Sequence, residues 1–225
     1  MKKNNINSSA RHDSKNFHYA AIGFVDGNFE DKYNATNPIS KMLVGGFTKK
    51  FTKLAKEFEN PHDIVEIGSG EGHLVQMLVD IYPQAHIDGC DLSERVNNIA
   101  REKMKKYPLV KIQKENAEKV TYKNDTFDAA VCCEVLEHME SPENALSEIY
   151  RILKKGGRAI ISVPREPIWR LLNLARLKYL PDLGNTPGHL NHWSGSSFKK
   201  FIQTNGFTIL EDESPFPWVM LLIQK

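Results

Sequence analysis

The sequence has little of what would commit it to a membrane, a disulfide framework or a highly charged partner. It contains three cysteines among 225 residues, and its formal net charge is +2. No run approaches the roughly 18 consecutive apolar residues of a membrane span. A charge this close to zero gives no global field that favours nucleic acid or an anionic surface. We therefore expect a cytoplasmic protein without a transmembrane segment, and nucleic acid is disfavoured as a partner.

The cysteines, Cys90, Cys132 and Cys133, fall inside apolar segments that are predicted strands. Neighbouring strand residues point to opposite faces, so a bond between Cys132 and Cys133 would be strained. Neither paired cysteines nor a zinc-type spacing is present, which indicates a reducing compartment. We interpret the cysteines as small hydrophobic residues.

The length and the absence of repeats or linkers predict a single domain. Residues 1–30 contain few core-forming side chains and no apolar block, so we expect a disordered tail there rather than a signal peptide. Residues 31–225 would form the domain. It would begin with a helix over about residues 38–58, because Pro38 stands at its start and apolar residues follow at helical spacing.

Strands and helices alternate through the middle of the chain. Apolar segments such as DIVEIG and FDAAVCCEV are separated by helical patterns such as GHLVQMLVDIY and ENALSEIYRILK. This alternation predicts a parallel sheet covered on both faces. The end of the chain adds two more strands around a proline-rich turn. We expect an α/β, Rossmann-like fold with a seven-stranded, mostly parallel sheet, helices on both faces and a C-terminal antiparallel strand.

An insert over about residues 166–193 is predicted to form a helical lid. It carries an apolar face of Trp169 and several leucines, and positive charge on Arg165, Arg170, Arg176 and Lys178. One interpretation is a lid packed on the core. The other is a lid that admits a lipid-like or anionic small molecule, or that rests on a membrane surface.

The stretch EIGSGEGH follows the first predicted strand. Gly68, Gly70 and Gly72 would let a ligand approach the backbone closely at the carboxyl end of that strand. The dinucleotide fingerprint needs glycine at position 73, where this chain has His73. Glu66 would repel a pyrophosphate and attract an ammonium group. Taken alone, the loop could also be a plain strand-to-helix turn.

Polar residues follow the next two strands. Asp91 ends the second strand about 20 residues after the loop, where a carboxylate can accept hydrogen bonds from both ribose hydroxyls. A helix-capping role competes, although Ser93 suits that role better. Asn116 follows the third strand and could pair with an adenine edge, with the Ala117 backbone beside it. A turn or cap role for Asn116 is equally open.

These segments, in this order and each at a strand end, resemble the class I S-adenosylmethionine-dependent methyltransferases over about residues 38–225. EIGSGEG looks like the first motif of that family, DGCDLS like the acidic second, and ENA like its adenine-side turn. The segment from Phe127 to Pro164 is similar to the fourth and fifth motifs. The chain departs at Asn116, where many members carry aspartate. The terminal strands match the family and argue against a dehydrogenase.

The resemblance implies S-adenosylmethionine as the cofactor and a role for each motif residue. Glu66 would lie near the methionine ammonium, Asp91 would hold the ribose, and Leu92 would cover the adenine face. Cys133 would line the sulfonium side, with core packing as the alternative. The implied cofactor-binding set is Glu66, Gly68, Gly70, Gly72, Asp91, Leu92, Asn116, Ala117 and Cys133.

Histidines near the expected methyl position are candidates for a general base. His138 in EVLEHM is the first choice, and His189 or His192 in GHLNHW is the second. An acceptor hydroxyl or protonated amine would need such a base. The alternative is that His138 only caps or orients a loop.

The same segment also allows a divalent metal. EVLEH and the downstream His-x-x-His-Trp resemble the ubiquinone-biosynthesis O-methyltransferases, in which a Glu-x-x-Glu-His cluster is associated with a metal. Small-RNA 3′-end methyltransferases have a comparable cluster with a distant histidine. The corresponding ligands would be Glu134, Glu137 and His138. However, EVLEH is widespread in relatives for which no metal is claimed, so no metal is assigned.

The leading expectation is a methyltransferase that acts on a small molecule, at oxygen, with nitrogen and carbon left open. An RNA or protein methyltransferase and a non-catalytic S-adenosylmethionine-binding protein are the alternatives. The acceptor pocket would form from Tyr33, Asn37 and residues 167–193. Both a monomer and a homodimer are compatible with the sequence.

Overall fold

A computed structural model of the chain describes residues 37–225, so the predicted tail over residues 1–30 and Tyr33 lie outside the described residues. Six α-helices and seven strands are described, with short 3₁₀ turns at Leu136–His138 and Leu180–Asp182. In chain order the helices and strands are α1 (Pro38–Ala55), β1 (Asp63–Ile67), α2 (His73–Ile81), β2 (His86–Asp91), α3 (Glu94–Met104), β3 (Val110–Lys114), β4 (Phe127–Cys133), α4 (Pro142–Ile152), β5 (Leu153–Pro164), α5 (Ile168–Ala175), α6 (Gly195–Thr204), β6 (Thr208–Asp212) and β7 (Trp218–Gln224).

The strands form one sheet in the order β3-β2-β1-β4-β5-β7-β6. Neighbours from β3 to β5 are parallel, and β7 runs antiparallel to both β5 and β6. The predicted fold class is therefore confirmed. Strand order reverses between β1 and β4, and in open sheets of this kind ligands bind at the carboxyl ends of the strands near that reversal.

Each face of the sheet has its own core. On one face, α1 and α2 bury Phe51, Leu54 and Leu78 against the strands. On the other, α4 and α6 bury Ile149 and Phe198. Strands β4 and β5 lie between both layers, which explains their continuous apolar runs.

The cysteines are buried and form no disulfide. Burial raises the pKa of the Cys90 thiol to about 12 and that of Cys132 well above its ordinary value. Neither thiol therefore ionises at neutral pH, as expected of side chains that serve as packing.

The first helix begins where the sequence predicts and ends three residues earlier than the predicted position 58. Asn37 caps it by accepting a hydrogen bond from Ser40 N at 2.8 Å. The ring of Phe47 lies edge-on to Trp218 of β7, with 5.2 Å between centroids. Within residues 37–225, none of the helices combines the length and apolarity needed to cross a bilayer.

The insert between β5 and α6 is less helical than its sequence predicts. Helix α5 ends at Ala175, and Leu177 and Tyr179 then take φ of 55° and 54°. Two side chains of α5 bind the returning chain: Trp169 Nε1 donates to Thr186 Oγ1 at 2.9 Å, and Asn173 Nδ2 donates to Gly184 O at 2.9 Å. The insert is thus a helix followed by an irregular segment folded back onto it.

Candidate functional site

The glycine loop forms a tight turn between β1 and α2. Its backbone is tied to β2, because Gly68 N and Ser69 N both donate to Cys90 O, at 2.7 and 2.8 Å. Gly68, Gly70 and Gly72 have φ of 75°, 50° and 78°, a region that side chains with a Cβ rarely adopt. The three glycines are therefore needed for the path of the loop.

The three glycines differ in what surrounds them. A Cβ on Gly68 would lie 2.3 Å from Val135 Cγ2, and one on Gly72 would lie 3.3 Å from Ala100 Cβ. A Cβ on Gly70 would meet nothing within 4 Å among the described residues. Packing thus requires glycine at Gly68, Gly72 lies in tight contact with α3, and Gly70 borders open space that a ligand can enter.

Asp91 lies directly beside this space. Its Oδ2 accepts a hydrogen bond from Gly70 N at 3.1 Å, and its Oδ1 accepts one from Ser93 N at 2.9 Å. Burial raises its pKa, while the backbone donors of Ser93 and Gly70 act in the opposite direction. The structure therefore brings together the loop and the acidic residue that the sequence placed at two neighbouring strand ends.

Asn97 fixes the backbone of Asp91 and was missed from the sequence. Its side chain is fully buried, and its Nδ2 donates to Asp91 O at 2.9 Å. The sequence does contain a signal for this role, because Asn97 is a polar residue on the otherwise apolar face of α3 that carries Val96 and Ala100.

Glu66 is a buried carboxylate just before the loop, with 3% of its surface exposed. Burial raises its pKa well above the ordinary value and the charge of Asp91 adds to this, while a hydrogen bond from the Val75 backbone opposes it. Its Oε2 and the buried Ser69 Oγ have no hydrogen-bond partner among the described residues. Buried polar atoms of this kind are normally satisfied by a ligand or by water. A carboxylate oxygen and a hydroxyl oxygen can both accept hydrogen bonds, so this pair fits a cationic donor such as an ammonium group.

The expected adenine side is more open. Leu92 is 40% exposed. Asn116 uses its amide oxygen in a local turn, since its Oδ1 accepts from Glu118 N at 3.0 Å. This bond occupies one of the two lone pairs of Oδ1, so the Nδ2 donor and the second lone pair of Oδ1 are left for an adenine edge. Ala117 packs against the core beside it.

At the end of β4, Cys133 is buried and Glu134 has an unusual backbone, with φ of 60°. Such a conformation costs on the order of 1 kcal/mol for a residue with a side chain. Glu134 N donates to Ser162 O at 3.0 Å, and Glu134 Oε2 accepts from Trp218 Nε1 at 2.6 Å. The carboxylate of Glu134 is thus bonded to β7.

A second group of side chains converges after this turn, and we call it the Glu/His cluster: Glu137, His138 and His189. One ligand-type atom of each residue lies within 4.8 Å of those of the other two. Glu137 is 1% exposed and His189 is 8% exposed. The two imidazole rings meet edge-on with 4.9 Å between centroids. The structure therefore joins two of the predicted catalytic histidines.

Backbone contacts hold the two halves of the cluster together. Leu190 N and Asn191 N donate to Glu137 O at 2.7 and 3.0 Å. Asn191 Nδ2 also donates to Met139 O at 2.6 Å, and Gly188 O accepts from His138 Nδ1 at 2.9 Å. Sequence reasoning missed Asn191, although it stands between the two singled-out histidines in HLNH.

His192 is not part of the cluster. It is exposed, and its Nε2 donates to Asn185 Oδ1 at 2.7 Å. Partial burial and the nearby charge of Arg170 lower its pKa. Its catalytic role stays a prediction.

Aromatic rings connect the cluster to the rest of the domain. The ring of Trp169 stacks on His189 at 6.3 Å between centroids and lies 5.6 Å from Trp218, which in turn contacts Phe47. This aromatic wall joins α1, β7 and the insert. Trp218, at the start of the last strand, was not predicted as part of the site.

The methyltransferase-domain family matches residues 44–212 of the chain. This match covers the glycine loop, Asp91, the Glu/His cluster and most of the sheet.

Curated relatives are quinone-pathway methyltransferases. The chain is 27% identical over 131 residues to the demethylmenaquinone methyltransferase of Bacteroides fragilis, covering 55% of this chain and 54% of that one. It is 23% identical over 161 residues to the ubiquinone/menaquinone biosynthesis C-methyltransferase of Pasteurella multocida, covering 68% and 60%. The chain thus spans a little more than half the length of these relatives.

Among solved structures, an S-adenosylmethionine-dependent methyltransferase from Aquifex aeolicus superimposes with a TM-score of 0.66 at 15% identity. The superposition covers 86% of this chain and 96% of that one. At this identity the similarity concerns the fold.

Proposed function

Because the chain belongs to the class I S-adenosylmethionine-dependent methyltransferase family, we propose that it transfers a methyl group from S-adenosylmethionine to a small-molecule acceptor. The observation that carries the proposal is the pairing of Asp91 with Gly70 beside open space, with the buried Glu66 behind the loop. This arrangement offers a carboxylate to a ribose and a second one to an ammonium group.

The cofactor roles follow from this geometry. Each carboxylate oxygen of Asp91 accepts one backbone hydrogen bond, and each keeps a lone pair for a ribose hydroxyl. Glu66 Oε2 would accept from the methionine ammonium, directly or through water. That contact would favour the ionised form of Glu66, against the effect of its burial.

The protein forms no covalent bond to either substrate in this reaction. The acceptor atom forms a bond to the methyl carbon, the electron pair of the breaking C–S bond stays on sulfur, and S-adenosylhomocysteine leaves as the product. The protein has to align the two substrates and exclude water. An acceptor hydroxyl must also lose its proton before or during the transfer.

The Glu/His cluster supplies the acceptor side of the proposal. Its Glu137 and His138 come shortly after β4, and Val135, which precedes them, borders Gly68 of the cofactor loop. We assign His138 as the general base that takes the proton of the acceptor hydroxyl when no metal is bound. The ring of His189 lies beside it.

Oxygen is the methylated atom in this proposal. Carbon is the second candidate, because the Pasteurella multocida relative is named as a C-methyltransferase. Loss of a proton from a ring hydroxyl makes both the oxygen and the adjacent ring carbon nucleophilic, so one site serves either outcome.

The acceptor is proposed to have an apolar part. The aromatic wall offers it a surface, and the insert exposes Leu171, Leu177 and Leu183 at 61%, 77% and 73%. The exposed Arg176 adds positive charge to the same segment. This combination suits a lipid-like or anionic acceptor and a peripheral contact with an anionic membrane.

The test is turnover with a panel of hydroxylated aromatic acceptors, with and without an isoprenoid-type tail. Mass spectrometry would detect the methylated product, and NMR would locate the methyl group on oxygen or carbon. Calorimetry would measure S-adenosylmethionine binding separately. Absence of cofactor binding would overturn the proposal. If the protein binds the cofactor but methylates only RNA or a protein, the small-molecule acceptor in the proposal is wrong.

A further inference from the structure

We propose that the Glu/His cluster, Glu137, His138 and His189, binds a divalent transition-metal ion on the acceptor side of the site. The metal-binding claim rests on the geometry of these three residues, and only its part in methyl transfer rests on the proposed function.

The distances are close to those of a metal site. The three ligand-type atoms lie within 4.8 Å of one another, and His138 Nε2 is 3.9 Å from Glu137 Oε1. Two ligands bound to zinc at tetrahedral geometry are about 3.4 Å apart. Small side-chain rotations therefore suffice to bring the three atoms onto one ion.

The orientation of His138 fits metal binding. Its Nδ1 donates to Gly188 O at 2.9 Å, which leaves the lone pair on Nε2, the nitrogen nearer to Glu137. Metal-ligating imidazoles are usually held by a hydrogen bond of this kind from the other ring nitrogen. His138 is thus positioned by the returning segment of the insert.

The backbone also holds the ligands in place. The carbonyl of Glu137 accepts from both Leu190 and Asn191, immediately after His189. All three side chains are therefore carried by two segments that are bonded to each other. Since Glu137 is almost completely buried, its attraction to a cation would be weakly screened by water.

The donor set indicates which ions would bind. Two imidazoles and one carboxylate suit borderline cations such as Zn²⁺, Mn²⁺, Co²⁺ or Fe²⁺, whereas Ca²⁺ and Mg²⁺ prefer oxygen donors. Three protein ligands leave at least one coordination position for an acceptor oxygen.

This ligand set differs from the one expected by resemblance, Glu134, Glu137 and His138. Glu134 Oε2 accepts a hydrogen bond from Trp218 Nε1 at 2.6 Å. The third residue that lies close to Glu137 and His138 is His189. Glu134 therefore supports the aromatic wall and is not a ligand in this proposal.

A bound cation would lower the pKa of an acceptor hydroxyl at the open position. With its Nε2 bound to the ion, His138 would be a ligand and would no longer serve as the base that the metal-free site offers, so the hydroxyl proton would go to solvent.

The test titrates chelator-treated protein with Zn²⁺, Mn²⁺ or Co²⁺ by calorimetry, and follows Co²⁺ also by its visible absorption. We expect one ion per chain. His189→Ala and Glu137→Gln should each weaken binding at least about tenfold, since each removes one of three ligands. Glu134→Gln and His192→Ala are the matched controls and should bind like wild type. Thermal melts would show that each variant is folded, and His138→Gln replaces any variant that is not.

Several results would overturn the inference. One is the absence of stoichiometric binding of any of the three ions by wild type. Another is a loss in Glu134→Gln as large as that in His189→Ala, which would reinstate the other ligand set. S-adenosylmethionine binding by the metal-free protein is measured in parallel. If the cofactor binds and no ion does, only the metal inference fails; if the cofactor does not bind, the proposed function fails.

Discussion

At the scale of single residues, Asp91 is the sharpest test of the cofactor site. Asp91→Asn replaces one acceptor oxygen by an amide that donates, so it faces a backbone N–H with another donor and loses charge-assisted bonds to the ribose. We expect S-adenosylmethionine affinity to fall about 10- to 100-fold, measured by calorimetry.

Asp88→Asn is the control for Asp91, because Asp88 lies on the same strand and is also a half-buried carboxylate whose pKa is raised by burial. It should leave cofactor affinity unchanged. Equal losses in both variants would mean that the strand, and not the Asp91 carboxylate, determines binding.

The glycine loop gives a second prediction at this scale. Gly68→Ala places a Cβ against Val135 and should lower the free energy of unfolding by about 2 kcal/mol or more. Gly70→Ala meets no described atom, so it should cost less stability while reducing cofactor affinity by filling the ligand space. Urea unfolding and calorimetry on both variants would separate the two effects. If Gly68→Ala lost cofactor affinity and Gly70→Ala lost stability instead, the ligand would lie at Gly68.

At the scale of elements, a substitution at Gly184 can weaken the packing within the insert without changing a residue of the sheet. Gly184 has φ of 77°, and a Cβ there would lie 2.5 Å from Arg170 O. Gly184→Ala should therefore detach the returning segment from α5, raise the KM for the acceptor several-fold and leave cofactor affinity unchanged. Limited proteolysis should cut the variant faster within residues 176–188.

Gly195→Ala is the matched control for this change. A Cβ on Gly195 meets nothing within 4 Å among the described residues, and Gly195 lies in the first turn of α6. Its acceptor KM and its proteolysis pattern should match wild type. If Gly184→Ala behaved like this control, the returning segment would not depend on its contact with α5.

Most elements could be predicted because their signals are local. The apolar run of β4 reflects burial on both faces, and Pro38 marks the start of α1. The early end of α5 could not be predicted in the same way. Leu177 and Tyr179 adopt left-handed backbone although neither is glycine, and Pro181 and Gly184 come only after them, so tertiary contacts of the insert must determine that turn.

The same distinction holds for the site. Asp91 and the loop were predicted together because parallel neighbouring strands bring their carboxyl ends to one edge. The meeting of His138 with His189, and the bond from Trp218 to Glu134, join residues far apart in the chain. Sequence spacing carries no information about such contacts, which is why His189 was not among the predicted metal ligands.

At the scale of the whole molecule, buried carboxylates should make stability depend on pH. The folded-state pKa of Glu66 lies well above its ordinary value because the side chain is buried. The unfolded chain then releases the proton more readily, so the stability of the cofactor-free protein falls as pH rises from the unfolded pKa toward the folded one. Glu66→Gln should remove part of this fall and be more stable than wild type at pH 8.

Urea unfolding of the cofactor-free protein at pH 5 and pH 8 would measure this difference. Glu102→Gln serves as the control, because Glu102 is 77% exposed and should show no pH-dependent change relative to wild type. A Glu66→Gln variant that loses stability equally at both pH values would contradict the argument.

The insert is tied to the sheet near its two ends and through the ring of Trp169, and this has a consequence for which of its residues can change. Its ends meet through the bridge between Arg165 and Trp193, and its return is bonded to Glu137. Residues 170–185 between these points can therefore vary in length and composition while the glycine loop and Asp91 stay unchanged. Under the proposed function, we expect that exchanging this segment among relatives would change the choice of acceptor and leave cofactor binding intact, so one domain could serve several acceptors through one replaceable segment.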